Sequence, residues 1–222
     1  MPETTIGVEY LPLKAGVDLE AGEAKSIWEA ALNTISKQPG VKSLFWGRQI
    51  EHPDILQLVV NWESLDAHEA YIATPEYQLS LETLRTNLLS GPPKNFHTTL
   101  PILEPFANPF RAPVTECVSG YFTATYPSAE YDAQFARFQD LVAETPDVPT
   151  QGMSGGWAVE SQRHEILGPN IVGKLRTTFI GWPSMESHAN FTKLEVFNEM
   201  IPLLRNGPQG ATLWHVAFKQ HK

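Results

Sequence analysis

The chain has 222 residues and a formal net charge of −9, and 42% of its residues are hydrophobic, enough for a packed core rather than a disordered chain. The negative charge and the lack of a Lys/Arg run argue against a nucleic-acid or anionic-membrane partner, and Cys117, the only cysteine, excludes an intrachain disulfide. No run approaches the ~20 apolar residues of a membrane span and the first residues lack a signal-peptide pattern, so we expect a cytoplasmic protein.

The first half predicts the element order β-α-β-β-α-β. Trp28, Ala31, Leu32 and Ile35 form one apolar helical stripe, and Ser64 is a natural N-cap for a second helix that Pro75 interrupts. The predicted elements are a strand at 5–13, a helix at 21–37, strands at 41–50 and 55–62, a helix after Ser64, and a strand at 95–100.

The second half repeats this order after a proline-spaced linker, Glu104–Pro113, which Phe106 and Phe110 are expected to pin. The predicted elements are a strand at 115–125, a helix capped by Ser128, a hairpin of 151–163 and 171–182, a helix at 184–206 that Pro202 kinks or divides, and a strand at 212–219.

The two halves are related by an internal repeat. The spacing Trp-x-Ser-x-x-x-His occurs at Trp62–His68 and again at Trp182–His188, 120 residues later, and Phe96-His97 corresponds to Trp214-His215. We therefore predict two repeats, 1–103 and 114–222, joined by a linker at 104–113.

The element order is that of the ferredoxin-like split βαβ fold, in the α+β class. Each predicted sheet has one face under two helices and a second apolar face that needs a cover. Packing one repeat on the other would bury both, as a pseudo-dimeric α+β barrel within one chain, and the sequence leaves a homodimer of such chains open.

The sequence resembles the dimeric α+β barrel superfamily in three stretches: Phe45–Arg48, Trp62–Ser64 and Tyr71–Tyr77. Its nearest branches are the antibiotic-biosynthesis-monooxygenase-like and stress-responsive barrel proteins. The resemblance implies the barrel fold and one of several activities: cofactor-free oxygenation, polyketide cyclisation, isomerisation or a haem-dependent reaction.

The sequence departs from the cyclase-like pattern of this superfamily at the catalytic histidines. In the cyclase-like pattern a catalytic histidine follows the helical tyrosine by six residues and a second histidine lies on the third strand. Here those positions hold Tyr77 and Leu56, and only Tyr71 is kept. Two-histidine cyclase chemistry is therefore not carried over.

The catalytic candidates are His97, Tyr71, Tyr77, Arg48 and His215. A strand histidine that faces a pocket can take a proton near neutral pH, although a histidine hydrogen-bonded within the structure explains His97 and His215 equally well. The tyrosine hydroxyls suit binding or proton relay, and Arg48 either holds an oxyanion or pairs with a surface carboxylate. His68 and His188 recur beside a Trp, which favours a packing role.

The binding candidates are Trp46, Trp62, Tyr121, Trp157 and Arg176. Trp46 and Trp157 would stack on a flat substrate, whereas the size of Trp62 and its counterpart Trp182 favours core anchors.

The repeats differ at the helix positions that face the pocket. Phe191 and Phe197 replace Tyr71 and Tyr77, so polar chemistry in the second repeat would need Tyr121, Arg176, His215 or Glu116. We therefore expect one specialised pocket and one that has become core.

No metal spacing, phosphate loop or nucleophile elbow is present, so we predict no metal and no cofactor, with haem held through one histidine as the alternative. The predicted function is cofactor-free cyclisation, isomerisation or elimination of an apolar polyketide or terpenoid intermediate. The alternatives are cofactor-independent oxygenation of an activated aromatic substrate, and a non-catalytic stress-response or ligand-binding barrel.

Overall fold

The structure, a computed structural model, describes residues 3–101, 108–146 and 148–222. These residues divide into two compact units: the first reaches Pro101 and also contains Val216–Lys222, and the second runs from Asn108 to His215. The predicted linker lies partly outside the described residues, at 104–107, which include Phe106. Within its remainder, Pro109–Arg111 forms one 3-10 turn with Phe110 buried.

The first unit confirms the predicted element order. Its elements are β1 (Glu3–Pro12), α1 (Gly22–Ser36), β2 (Val41–Arg48), β3 (Ile55–Trp62), α2 (Leu65–Ile72), α3 (Pro75–Asn87) and β4 (Lys94–Pro101). The predicted stripe of α1 is buried, and the Ser64 hydroxyl caps α2 by accepting a hydrogen bond from the Ala67 amide at 3.2 Å. Pro75 begins α3, because proline fits the first turn of a helix.

The second unit repeats this plan with a longer hairpin and a more broken last helix. Its elements are β5 (Val114–Thr123), α4 (Ser128–Glu144), β6 (Met153–Trp157), β7 (Gln162–Arg163), β8 (Val172–Trp182), α5 (Met185–Phe191), α6 (Glu195–Met200), α7 (Pro202–Arg205) and β9 (Gly210–Val216). The predicted helix at 184–206 is therefore three short helices, divided after Phe191 as well as at Pro202.

Two further predictions about local structure are wrong. Ser128 does not cap α4: it is the first helical residue, Pro127 holds the cap position, and the Ser128 hydroxyl accepts from Lys174 Nζ at 3.1 Å. The last strand does not continue to residue 219. It ends at Val216, and a separate strand β10 (Lys219–His221) pairs with β2 in the first unit.

The strand order of each sheet is that of the ferredoxin-like fold. The first sheet runs β10-β2-β3-β1-β4 and the second β6-β8-β5-β9, with β7 beside β8. No helix among the described residues is long and apolar enough to cross a membrane.

The strand register decides which side chains of the first sheet face the helices. Glu9 is opposite Leu58 on β3 and opposite Asn95 on β4, so these three side chains share a face. Leu58 packs with residues of α1, α2 and α3, which identifies this as the helix-covered face. Side chains of the second face, such as Val8 and Val59, are also buried.

Candidate active site

A cavity of about 200 Å³ lies between the helix-covered face of the first sheet and helices α1, α2 and α3. Its apolar lining includes Trp28, Leu58, Val60 and Trp62. Its polar lining consists of Glu9, His68, Tyr71, Tyr77, Ser80, Arg85 and Asn95. Arg85 and Asn95 are exposed, so they mark the mouth of the cavity, whereas Trp28 and Trp62 are buried.

Glu9 is the acidic group of this cavity, and sequence reasoning did not select it. Burial in the protein raises the pKa of its carboxyl from 4.5 to about 7, and the nearby His97 opposes that shift. A carboxylate with a pKa near neutral is suited to accept a proton at physiological pH, because both of its protonation states are then populated.

Tyr71 and Tyr77 come together at the break that Pro75 makes. Their ring centroids are 5.2 Å apart in an edge-on contact, and both side chains line the cavity. Burial raises the pKa of Tyr71 and of Tyr77, and the negative charge of Glu9 raises both further. The two hydroxyls therefore stay protonated near neutral pH and remain hydrogen-bond donors.

His68 and His97 form a buried pair beside this cavity. His68 Nδ1 lies 2.6 Å from His97 Nε2, so one ring donates a hydrogen bond to the other. The His68 ring stacks on Trp62 at 4.5 Å, and His68 lines the cavity while His97 does not border it directly. His68 thus packs on Trp62, as predicted, and it is also hydrogen-bonded to His97, one of the predicted catalytic candidates.

Two cavity-lining tryptophans have buried indole N–H groups that find no partner among the described residues. They are Trp28 and Trp62, and Trp62 is 0% exposed, as expected of a core anchor. A buried unpaired donor carries a desolvation cost of about 1–3 kcal/mol. Both indole N–H groups are therefore donors beside this cavity that the described residues leave unpaired.

The other candidates of the first unit do not border the cavity. The Arg48 guanidinium donates to the backbone carbonyls of Val17 and Pro53, which ties two loops together. Trp46 packs edge-on against Trp28 at 5.7 Å, and Lys219 Nζ lies 5.2 Å from its ring centroid. Both side chains are thus engaged in holding the unit together.

In the second unit Arg176 packs against α4. Its guanidinium carbon lies 4.1 Å from the ring centroid of Phe135, and its Nε donates to Asp132 at 3.2 Å. Trp157 Nε1 donates to the same carboxylate at 3.0 Å. Tyr121 lies on the opposite face of this sheet and stacks on His164 at 3.9 Å. The five binding candidates therefore do not form one site.

His215 belongs to a second histidine pair, which matches that of the first unit. His215 Nε2 lies 2.8 Å from His188 Nδ1, and His188 stacks on Trp182. Here a carboxylate is added: Glu116 accepts from Trp182 Nε1 at 3.0 Å and lies 3.4 Å from His188 Nε2. The equivalent position in the first unit is Gly7.

A sequence signal for Glu9 was present. Glu9 and Leu11 point to one face of β1, and Ile6 and Val8 point to the other. Leu11, Ile6 and Val8 are all apolar and buried. A strand with apolar residues on both parities is buried on both faces, so an acidic residue within its apolar stretch, here Glu9, is a candidate for a raised pKa.

Comparison with known proteins agrees with this fold. Residues 20–82 match the model of a family described as antibiotic biosynthesis monooxygenase, and no curated protein matches the chain. The matched segment contains Trp28, Trp62, His68, Tyr71 and Tyr77, but not Glu9.

Solved structures that are similar over nearly the whole chain include two proposed monooxygenases and an anthrone oxidase-like protein. A proposed monooxygenase from Lactobacillus acidophilus NCFM has 10% identity and a TM-score of 0.63, covering 100% of this chain and 97% of that one. A proposed monooxygenase from Fusobacterium nucleatum has 14% identity and a TM-score of 0.59, covering 99% and 94%. An anthrone oxidase-like protein has 10% identity and a TM-score of 0.67, covering 98% and 93%. At these identities the likeness shows the fold, two ferredoxin-like repeats in one chain.

Proposed function

We propose that the first unit is a cofactor-free acid–base enzyme in which Glu9 removes a proton from an apolar small molecule. The observation that carries this proposal is a carboxyl of pKa about 7 lining a cavity that it shares with Tyr71 and Tyr77. The substrate class is an apolar polyketide or terpenoid intermediate with an acidic C–H or phenolic O–H bond. A cavity of about 200 Å³ is below the roughly 300–1,000 Å³ of drug-sized sites, which favours a compact molecule.

The proposed step is a proton transfer from the substrate to the Glu9 carboxylate. The electron pair left behind moves to the substrate oxygen as an enolate or phenolate, and Tyr71 or Tyr77 donates a hydrogen bond to that oxygen. Return of the proton from Glu9 to another carbon completes an isomerisation. In a cyclisation the enolate carbon attacks a carbonyl of the same molecule, and the resulting alkoxide takes the proton back from Glu9. The His68–His97 pair positions Tyr71, because His68 stacks on Trp62 and Trp62 in turn stacks on Tyr71.

The second candidate is cofactor-independent oxygenation, and the family match over residues 20–82 favours it. Here the carbanion formed by the same proton transfer reduces O₂. For a CH₂ group flanked by activating carbonyl or aryl groups, the balanced reaction consumes one O₂ and gives a C=O group and one water. Both candidates therefore share the Glu9 step and differ in the fate of the carbanion.

The test is activity of Glu9→Gln against a panel of small enolisable ketones, phenols and an anthrone. Loss of a general base lowers the rate by about 10²–10⁴-fold, so we expect kcat/KM to fall by that range. In the wild type, kcat/KM should rise with pH through about 7, because the ionised carboxylate is the active form. The matched control is Glu69→Gln, which changes an exposed glutamate on α2 and should leave the rate unchanged.

Measuring turnover with and without oxygen distinguishes the two fates of the carbanion. Turnover that is unchanged under nitrogen supports isomerisation, cyclisation or elimination, whereas stoichiometric oxygen consumption supports oxygenation. Tyr71→Phe should lower kcat by about 10–150-fold in either case, since a hydrogen bond to a charged group contributes about 1.5–3 kcal/mol. Tight binding of panel molecules without any product would contradict the proposal and favour a ligand-binding barrel.

The proposal assigns roles to only some of the predicted residues. Tyr71, Tyr77 and Trp62 contact the substrate, and His97 acts through His68. Arg48 and Trp46 have structural contacts instead, and Tyr121, Trp157, Arg176 and His215 lie in the second unit and are not used in this reaction.

A further inference from the structure

The second unit contains a cluster of three potential metal ligands from three separate elements. Glu116 lies on β5, His188 on α5 and His215 on β9. One carboxylate oxygen and one nitrogen from each histidine all lie within 4.8 Å of one another. Because the three residues are far apart in the chain, no metal-ligand spacing was visible in the sequence.

We propose that Glu116, His188 and His215 bind a divalent transition metal ion, with Zn²⁺ as the fitting member of that class. Two imidazole nitrogens and one carboxylate oxygen are a ligand set that Zn²⁺ accepts, with a fourth position left for water. This site is separate from the cavity of the first unit and does not depend on the function proposed there.

Metal binding requires the three ligand atoms to move closer together. In tetrahedral coordination, zinc–ligand bonds of about 2.0–2.2 Å place two ligand atoms ~3.3–3.6 Å apart, so a pair at the 4.8 Å limit has to close by about 1.2–1.5 Å. The rival arrangement is a hydrogen-bonded chain without metal, in which Glu116 accepts from Trp182 and His188, and His188 contacts His215.

Comparison of the two units favours the metal. Val60 and Ile180 occupy matching repeat positions, and their strand partners are Gly7 and Glu116, respectively. In the first unit the Trp–His–His stack forms with Gly7 in that place, so the stack does not need a carboxylate. Glu116 is 6% exposed, and a buried carboxylate carries a desolvation cost unless a positive charge compensates it. A bound cation supplies that compensation.

Trp182 would hold the carboxylate in position. Its Nε1 donates to Glu116 Oε2 at 3.0 Å, and the Trp182 ring stacks on His188 with centroids 4.8 Å apart. Groups that orient metal ligands in this way change affinity by about 10–100-fold when they are removed. Trp182 is thus a positioning residue for both Glu116 and His188.

The experiment is a titration of the chelator-treated full chain with ZnCl₂ by calorimetry, and with CoCl₂ by visible absorption. We expect one equivalent of Zn²⁺ per chain, a tetrahedral-type cobalt band, and a melting temperature that rises with added Zn²⁺. Glu116→Gln and His215→Ala should each abolish the stoichiometric site, and Trp182→Phe should weaken it by about 10-fold or more. Glu116→Gln keeps the shape of the side chain, which guards against loss of the fold.

The matched control lies in the first unit. His97→Ala removes the histidine equivalent to His215 in a stack that lacks the carboxylate, so metal binding should be unchanged. The proposal is overturned if the wild type binds no equivalent of Zn²⁺, if Glu116→Gln binds as tightly as the wild type, or if binding is lost in His97→Ala but kept in His215→Ala.

Discussion

Glu9 ionises in the folded protein only near pH 7, because its carboxyl is removed from water between the first sheet and its helices. In the unfolded chain the same carboxyl has its ordinary pKa of 4.5. Between these two values the unfolded chain has lost the proton and the folded protein still holds it. The free energy of unfolding therefore falls as pH rises through this window, and it levels off above pH 7.

This difference gives a prediction for the free energy of unfolding. A pKa raised from 4.5 to about 7 corresponds to a contribution of roughly 3 kcal/mol that is present below pH 4.5 and lost by pH 7. Glu9→Gln removes the ionisable group, so its stability relative to the wild type should increase with pH across that window. Urea unfolding of both proteins at pH 4.5, 6 and 7.5 measures the difference. A difference that is constant with pH would show that Glu9 ionises normally.

Residue identity in this cavity was only partly predictable from the sequence. Tyr71 and Tyr77 are candidates from the sequence because their hydroxyls suit binding or proton relay, and the break at Pro75 lets the structure bring their rings into contact. Glu9 was missed because Gly7 and Glu9 alternate with Ile6 and Val8, which predicts a solvent-facing side chain, whereas helices α1, α2 and α3 cover the Glu9 face of the strand in the fold. Trp28 was assigned only to the apolar stripe of α1, since periodicity reports burial and not what lies beside the ring.

At the scale of elements, the first residues of the helices show that a serine in the sequence is not enough to identify the N-cap. Ser64 and Ser184 each accept a backbone N–H three residues ahead, because the residue sits in extended conformation before the first helical turn. Ser128 has the same residue type but lies one position later, inside the helix, where Pro127 has taken the cap position. The sequence identifies the helix and not the cap, because a one-residue shift decides which side chain reaches the free amides.

The capping prediction compares two serine-to-alanine variants. Ser64→Ala removes the hydrogen bond to the Ala67 amide and should lower the free energy of unfolding by about 1 kcal/mol. Ser128→Ala removes only a contact with Lys174 and should cost less than about 0.5 kcal/mol. Urea unfolding measures both. Equal losses, or a larger loss for Ser128→Ala, would contradict the capping assignment.

For the whole molecule, the internal repeat was the strongest sequence signal. The matching Trp62–His68 and Trp182–His188 segments predict two copies of one fold, and both sheets have the ferredoxin-like strand order. The path of the last residues was not predictable in the same way. The described residues of the first repeat end at Pro101 and contain no counterpart of β10, so a comparison of the repeats does not indicate that Lys219–His221 pairs with β2.

Strand β10 covers an edge of the first sheet that β2 would otherwise expose. Lys219, Gln220 and His221 are opposite Trp46, Phe45 and Leu44, and Lys219 also contacts Glu20 and the Trp46 ring. An uncovered strand edge leaves backbone N–H and C=O groups to water and to other chains. The short strand thus protects the first sheet although it follows the second unit in the chain.

Deletion of residues 219–222 should therefore weaken the first unit selectively. We expect a loss of about 1–3 kcal/mol, from two or three backbone hydrogen bonds of about 1 kcal/mol each, and faster hydrogen exchange of the amides in Val41–Arg48. The strands β5 and β8 lie in the other unit and should exchange as in the wild type. The control is Lys219→Ala in the full chain, which removes the ion pair and the ring contact but keeps the backbone pairing. Mass spectrometry after exchange distinguishes the two effects, because only loss of the backbone pairing exposes the amides of β2. Equal exchange of β2 in the deleted and intact chains would show that β10 does not protect this edge.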